Sequence, residues 1–271
     1  MYEKKPWLRF YGDVPETIDY PRTSMYEAVM RTVAERPDDL AYDFLGVTAT
    51  YREFGAEVDR CADVLAHLGL GQGDRITIAM PTSPPGVAAF YGANKIGAVT
   101  SMIHPLSTAS EVEFYLSKSG SKMALTLDLF RDKFEEVRGR TPLETLIVAR
   151  MQDHLPRLLG ALYWLKAGRK VPKVREDGGT RLLKTLLAER PPRAPAAEVD
   201  TDDLAVILYS GGTTGKPKGI MLSHRNFISE GLMVGHWAQL DPAYPRMLAA
   251  LPIFHGFGLG VCVNTMFMSG G

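Results

Sequence analysis

The amino-acid sequence predicts an α/β fold, doubly wound around a mostly parallel sheet, and three observations carry that prediction. Short apolar runs recur from Thr50 onward, with helix-patterned segments between them. The runs lie about 23 residues apart, too far for a hairpin turn but suited to a crossover connection. The segments between them carry helix start and stop signals rather than loop composition.

The elements follow in order. Ser24 and Glu27 have capping-box spacing and open a helix that ends before Pro37, expected to pack on the sheet from outside. Thr50 and Glu53 repeat that spacing ahead of a helix over Tyr51–Leu68. That helix aligns Phe54, Val58, Cys61 and Leu65 on one face and stops at Gly69. Arg75–Met80 reads as a strand, Pro84–Ile96 as a helix between Ser83 and Gly97, and Ala98–Ile103 as a strand. Glu111–Ser117 is a short helix, Met123–Leu127 a strand, Leu129–Val137 a helix and Thr145–Ala149 a strand.

Residues 151–189 break the rhythm. Leu155, Leu158, Leu159, Leu162 and Leu165 fall at helical spacing, and Lys166, Arg169, Lys170, Lys173 and Arg175 follow closely. Such a segment either lies on a membrane surface or packs on its own domain with a solvated basic exit. The packed arrangement is the commoner use of such a stripe. Residues 191–203 are rich in Pro and Ala, then acidic, and read as a linker. The expected organisation is a first α/β subdomain over 1–190, the linker, and a second α/β subdomain beginning at 204 with the buried strand Leu204–Tyr209.

Bulk properties narrow the function. Thirty-one basic and 31 acidic residues cancel, so no global attraction to nucleic acid is expected. Cys61 and Cys262 lie in apolar settings and read as core residues rather than a disulfide framework. No apolar run approaches a membrane span, and the N-terminal residues lack a signal peptide's apolar stretch. The cytoplasm is the expected address, with peripheral contact at the inner face of the membrane the outcome if the leucine stripe meets lipid.

The chemistry concentrates in Ser210–Gly219, SGGTTGKPKG. Its glycines let the backbone approach an anion, and successive N–H groups in such a turn form an anion nest. Ser210, Thr213 and Thr214 add hydroxyls; Lys216 and Lys218 add positive charge. A Walker-type loop fails here, because Pro217 stands where its metal-binding hydroxyl belongs and the following GIML reads as a strand, not a helix. A plain hairpin turn needs neither the length nor the hydroxyls and lysines. The loop suits polyphosphate.

YSGGTTGKPKGIMLSHRN closely resembles the signature of the adenylate-forming (AMP-binding) superfamily, which includes acyl-CoA synthetases, luciferases and peptide-synthetase adenylation domains. TYREF at 50–54, Gly73–Asp74, KIGAV at 95–99, HPL at 104–106 and LPIFHG at 251–256 appear in the superfamily's usual order. The GGTTG variant and the leucine-rich basic insert resemble the N-terminal half of bacterial long-chain fatty acyl-CoA synthetases. The resemblance implies ATP and Mg²⁺ as cofactors, a fatty acid as substrate and coenzyme A as thiol acceptor. It implies phosphate binding by Ser210, Gly211, Gly212, Thr213, Thr214, Gly215 and Lys218, with Ser210 also near the metal and Lys218 catalytic. His255 is implied to stand near the acyl carboxylate; a turn histidine satisfied by backbone groups is the alternative. His224 and His104 read as structural and loop residues.

The superfamily's later motifs are not in this sequence, so the chain reads as the front part of a ligase, inactive alone and expected to leave Gly256–Met268 exposed. A noncatalytic nucleotide-binding remnant and an adenylation module loading a carrier protein remain the other readings.

Overall fold

The computed structural model describes residues 5–211, 217–240 and 245–271. After a 3-10 turn at Pro6–Phe10, helix α1 spans Met25–Glu35. A hairpin of β1 (Leu40–Phe44) and β2 (Val47–Thr50) leads into α2 (Tyr51–His67). Both capping boxes form. The Ser24 and Thr50 side chains accept from the backbone N–H groups of Glu27 and Glu53, whose carboxylates accept in return from the capping residues' own N–H groups.

The main sheet begins with β3 (Arg75–Ala79), followed by α3 (Pro84–Lys95), β4 (Val99–Met102) and α4 (Ala109–Ser119). Next come β5 (Met123–Leu127), α5 (Arg131–Val137) and β6 (Thr145–Ala149). After α6 (Arg157–Lys166) lie β7 (Thr180–Leu182) and α7 (Leu183–Glu189). The chain then adds β8 (Leu204–Ser210), β9 (Lys218–Ser223), α8 (His224–Trp237), a π-helical segment Phe257–Thr265 and α9 (Met266–Ser269). The seven strands run in the order β7-β6-β5-β3-β4-β8-β9, parallel throughout except for the antiparallel pair β8–β9.

Strand alternation explains the double winding. Ile76, Ile78, Met123, Leu125 and Ile147 face one core, packed with α1, α2 and α3. Ala79, Ala124, Leu146 and Val148 face a second core, with Val112 and Leu116 of α4 and Phe134 of α5. A strand buried on both faces is apolar along most of its length, and β3, β5 and β6 are, with the buried Thr77 and Thr126 hydroxyls donating to Ser121 Oγ and the Ala79 carbonyl. Helix α3 lies deepest: every residue from Pro85 to Lys95 is buried. Its Lys95 ammonium is tolerated there because Asp59 sits 2.9 Å away, itself accepting from the Tyr26 hydroxyl.

Three expectations need correction. Residues 204–271 do not start a separate sheet, because β8 pairs in parallel with β4 inside the main one. The stretch 191–203 is an ordered crossover, pinned where Ala194 N–H donates to Asp63 and Ala197 N–H donates to the Lys95 carbonyl, both at 2.8 Å. Second, the apolar segment near the C-terminus is covered rather than exposed. Leu259, Val263 and Phe267 join the first core, and Phe267 stacks on Phe54 with centroids 4.3 Å apart. Tyr91 and α1 supply polar anchors: the Tyr91 hydroxyl bonds Asn264 Oδ1, and Thr32 Oγ1 donates to the Met268 carbonyl. Third, the leucine stripe of α6 is not packed inward. The helix sits outermost, and Gly160 is its one buried residue.

Candidate functional site

Strands β8 and β9 position the glycine-rich loop. Val206–Leu208 pack in the sheet interior, and Tyr209 is fastened by its hydroxyl to Ser101 Oγ at 3.0 Å and by ring contact with Tyr115 at 4.4 Å. Burial holds the Tyr209 phenol above its ordinary pKa. Ser210 and Lys218 are direct partners across the antiparallel pair, so their side chains project to one face of the sheet at the mouth of the loop. Gly219 opposes Tyr209; a Cβ there would stand 3.2 Å from Ile207 Cγ2 and 3.4 Å from the Tyr209 ring, a spacing that favours glycine. Gly211 is exposed with open space around it. Gly212, Thr213, Thr214 and Gly215 of the expected set lie outside the described residues. The strand after the loop, rather than a helix, agrees with the rejection of a Walker-type loop.

The turn 251–256 lies across the carboxyl ends of three neighbouring strands. Beyond β3, Thr82 Oγ1 donates to the Leu251 carbonyl at 3.0 Å. Beyond β4, the His104 ring contacts Phe254 at 4.4 Å. On β8, Leu208 Cδ1 lies 3.6 Å from where a Gly256 Cβ would stand, two residues before Ser210. Crevices outside the carboxyl ends of parallel strands are where open α/β sheets bind ligands. His255 is exposed here. Its N–H donates to the Pro252 carbonyl, its carbonyl accepts from Leu259 N–H, and its ring flanks Phe254 at 5.0 Å. The backbone demands of the turn are thus met without the imidazole.

His104 reads from the sequence as a loop residue and lies in one; its contact with Phe254 is what sequence reasoning missed. Its Nδ1 accepts from Leu106 N–H at 2.9 Å, so a neutral ring carries its proton on Nε2. The available signal was its place just past a buried parallel strand. His224 lies elsewhere, almost wholly buried at the start of α8, where Nδ1 accepts from Met25 N–H. Burial holds its pKa down at about 4, as suits a structural, neutral acceptor. Among the described residues, no group of three or more His, Cys, Asp or Glu side chains is arranged to hold a metal ion. A hydroxyl such as that of Ser210 is nevertheless chemically suited to magnesium, which takes oxygen ligands and draws most of them from water and phosphate.

Comparison with known proteins agrees with this architecture. The family described as AMP-binding enzyme matches residues 29–271. A long-chain-fatty-acid–CoA ligase of Escherichia coli O157:H7 is 31% identical over 268 residues, covering 95% of this chain and 47% of the relative. The ligase of the same name from Bacillus subtilis is 28% identical over 97% of this chain and 48% of its own length. The chain spans about half the length of the curated relatives it matches. The crystal structure of ATP-bound MatB from Rhodopseudomonas palustris shares the fold, with a TM-score of 0.75 at 23% identity over 93% of this chain and 44% of that one. With a family match that takes in nearly the whole sheet and the glycine-rich loop, this chain belongs to the AMP-binding enzyme family.

Proposed function

We propose that the chain supplies the phosphate-gripping part of an ATP-dependent ligase that activates a medium- or long-chain fatty acid. In the first step a carboxylate oxygen attacks the α-phosphorus of ATP; the new P–O bond forms as the bond to pyrophosphate breaks. In the second, the thiol of coenzyme A attacks the acyl carbon and AMP leaves. The observation that carries the reading is the pairing of Ser210 with Lys218 at the mouth of a ten-residue glycine-rich loop, beside the carboxyl ends of β3, β4 and β8.

The residues divide the work by their chemistry. Gly211–Gly215 present backbone N–H groups to the β- and γ-phosphates, with the Thr213 and Thr214 hydroxyls beside them. Lys218 places positive charge where pyrophosphate departs, which favours the transition state over the ground state. Ser210 is the residue here that would ligate magnesium, whose charge offsets that of the triphosphate. The exposed imidazole of His255 orients the acid carboxylate, and His104 supports it through their shared contact with Phe254. The fatty acid as substrate is favoured by the names of the relatives, and peripheral contact with a membrane surface suits such a substrate.

The test is ATP–pyrophosphate exchange by the protein at its full natural length, across carboxylic acids from short to long chain, followed by thioester formation with coenzyme A. Exchange that depends on a long-chain acid supports the reading. Exchange with no carboxylic acid of any length overturns it.

A further inference from the structure

Helix α6 is held by one face and bare on the other. Gly160 is buried against the Gln152 backbone, where a Cβ would stand 2.9 Å from the carbonyl oxygen, and Tyr163 on the same side is half-buried. The opposite face presents Leu158, 73% exposed, with Leu162 and Leu165 about half exposed, and Leu159 at its margin. At 100° per residue these leucines span roughly a third of the helix circumference. Exposing that much leucine to water on a helix of ten residues has a cost that an unpartnered surface does not recover.

Charge identifies the partner. From Leu155 to Arg175 the chain has six cationic side chains (Arg157, Lys166, Arg169, Lys170, Lys173 and Arg175) and no acidic one, in a protein whose formal net charge is zero. All six are exposed, and none is ion-paired with another described residue. The positive surface continues into a cleft of about 600 Å³ where Lys173 and Arg175 meet Arg131 and Arg138, four cations against the carboxylates of Glu135 and Asp177. A leucine face beside a dense, unneutralised cationic segment matches the acyl boundary and anionic headgroups of a bilayer. No described helix is long and apolar enough to cross one.

We infer that α6 and the basic segment 166–175 form a peripheral docking surface for membranes that carry anionic phospholipids. The inference deepens the fatty-acid reading and rests on it for its use, since long-chain acids partition into bilayers. The surface itself stands on its leucines and cations. Attraction to the headgroups brings the helix down flat, and the leucines then enter the acyl boundary.

The experiment is co-sedimentation of the full-length protein with phosphatidylcholine vesicles, with and without phosphatidylglycerol, in the absence of ATP and acid. Binding is expected to the phosphatidylglycerol vesicles at low salt and to fall at least about tenfold near 1 M salt, where charges are screened within ~3 Å. Leu158→Glu with Leu162→Glu, and separately Lys170→Glu with Lys173→Glu, should each weaken binding about tenfold or more. These side chains are exposed, so the thermal midpoint should stay unchanged and verify folding. Failure of the wild-type protein to bind anionic vesicles at low salt overturns the inference. So does unchanged binding by both variants, or a lipid-free dimer that the leucine variant dissolves, since a second copy would then be the occupant. Vesicle binding without acid-dependent exchange would refute the fatty-acid reading alone, and exchange without vesicle binding would refute the docking surface alone.

Discussion

Strands β5 and β9 belong to one sheet but occupy opposite environments. All five residues of β5 are buried, with β3 on one side, β6 on the other and helices over both faces. Among the described residues β9 is the last strand of the sheet, paired only with β8, and shows Ile220 and Met221 to solvent. The difference teaches where this molecule keeps its stability and where it keeps its chemistry. Interior strands are specified by packing and leave no room for a ligand. The half-open edge gives up burial at the strand that follows the glycine-rich segment proposed to hold phosphate, and binding residues are commonly placed at such edges of a rigid scaffold.

Core truncation should give the largest effect. Leu125→Ala on β5 is expected to destabilise by about 2–5 kcal/mol, measured by denaturant unfolding, because the space it vacates in the first core collapses only partly. A cost below about 1 kcal/mol would mean that the two-sided burial of β5 contributes little, and the contrast with β9 would fail.

The edge should respond in activity instead. In the full-length protein, Lys218→Ala and Thr214→Ala should each lower acid-dependent pyrophosphate exchange by about 10²-fold or more, the scale of losing one electrostatic donor, while the unfolding midpoint stays in place. Near-wild-type exchange in both variants would remove the loop from the mechanism.

Helix α8 links the two regions and contributes a pH dependence. Burial lowers the His224 pKa from 6.5 to about 4, so between those values the unfolded chain takes up a proton that the native state refuses. Stability therefore falls as pH drops through that window, by at most about 3.4 kcal/mol. His224→Gln, which retains an acceptor for Met25 N–H, should flatten the trend. Glu230 on the same helix has the opposite sign: burial raises it from 4.5 to about 7, so its carboxyl lowers stability as pH rises through that interval. Thermal midpoints of His224→Gln and Glu230→Gln from pH 7 down to pH 4.5 should diverge from wild type in opposite senses. Parallel curves would refute the assignment.

Met221→Thr on β9 should give the smallest effect, within about 0.5 kcal/mol, since the side chain is exposed and threonine suits a strand. A loss comparable with that of Leu125→Ala would show that the edge is covered in solution.

Much of this was legible in the chain. The residues of β5 and β6 match the runs Met123–Leu127 and Thr145–Ala149, because four apolar residues in five, with a threonine as the fifth, leave few alternatives between turn signals. The capping boxes at Ser24 and Thr50 were equally plain, each needing only two residues three positions apart. The glycine-rich motif at 210–219 was readable because its glycines, hydroxyls and lysines are contiguous. The contact of His104 with Phe254 was not, since the two lie 150 residues apart in the chain.

What the sequence determined by itself is therefore the set of local elements, their alternation and the family, all written in neighbouring residues. Only the tertiary structure decided that β8 enters the same sheet as β4, that Phe267 stacks on Phe54, and that α6 turns its leucines outward. The physical reason is common to all three. Periodicity tells which residues share a face but not what that face meets. The neighbour is chosen by competition among distant segments for the same buried surface.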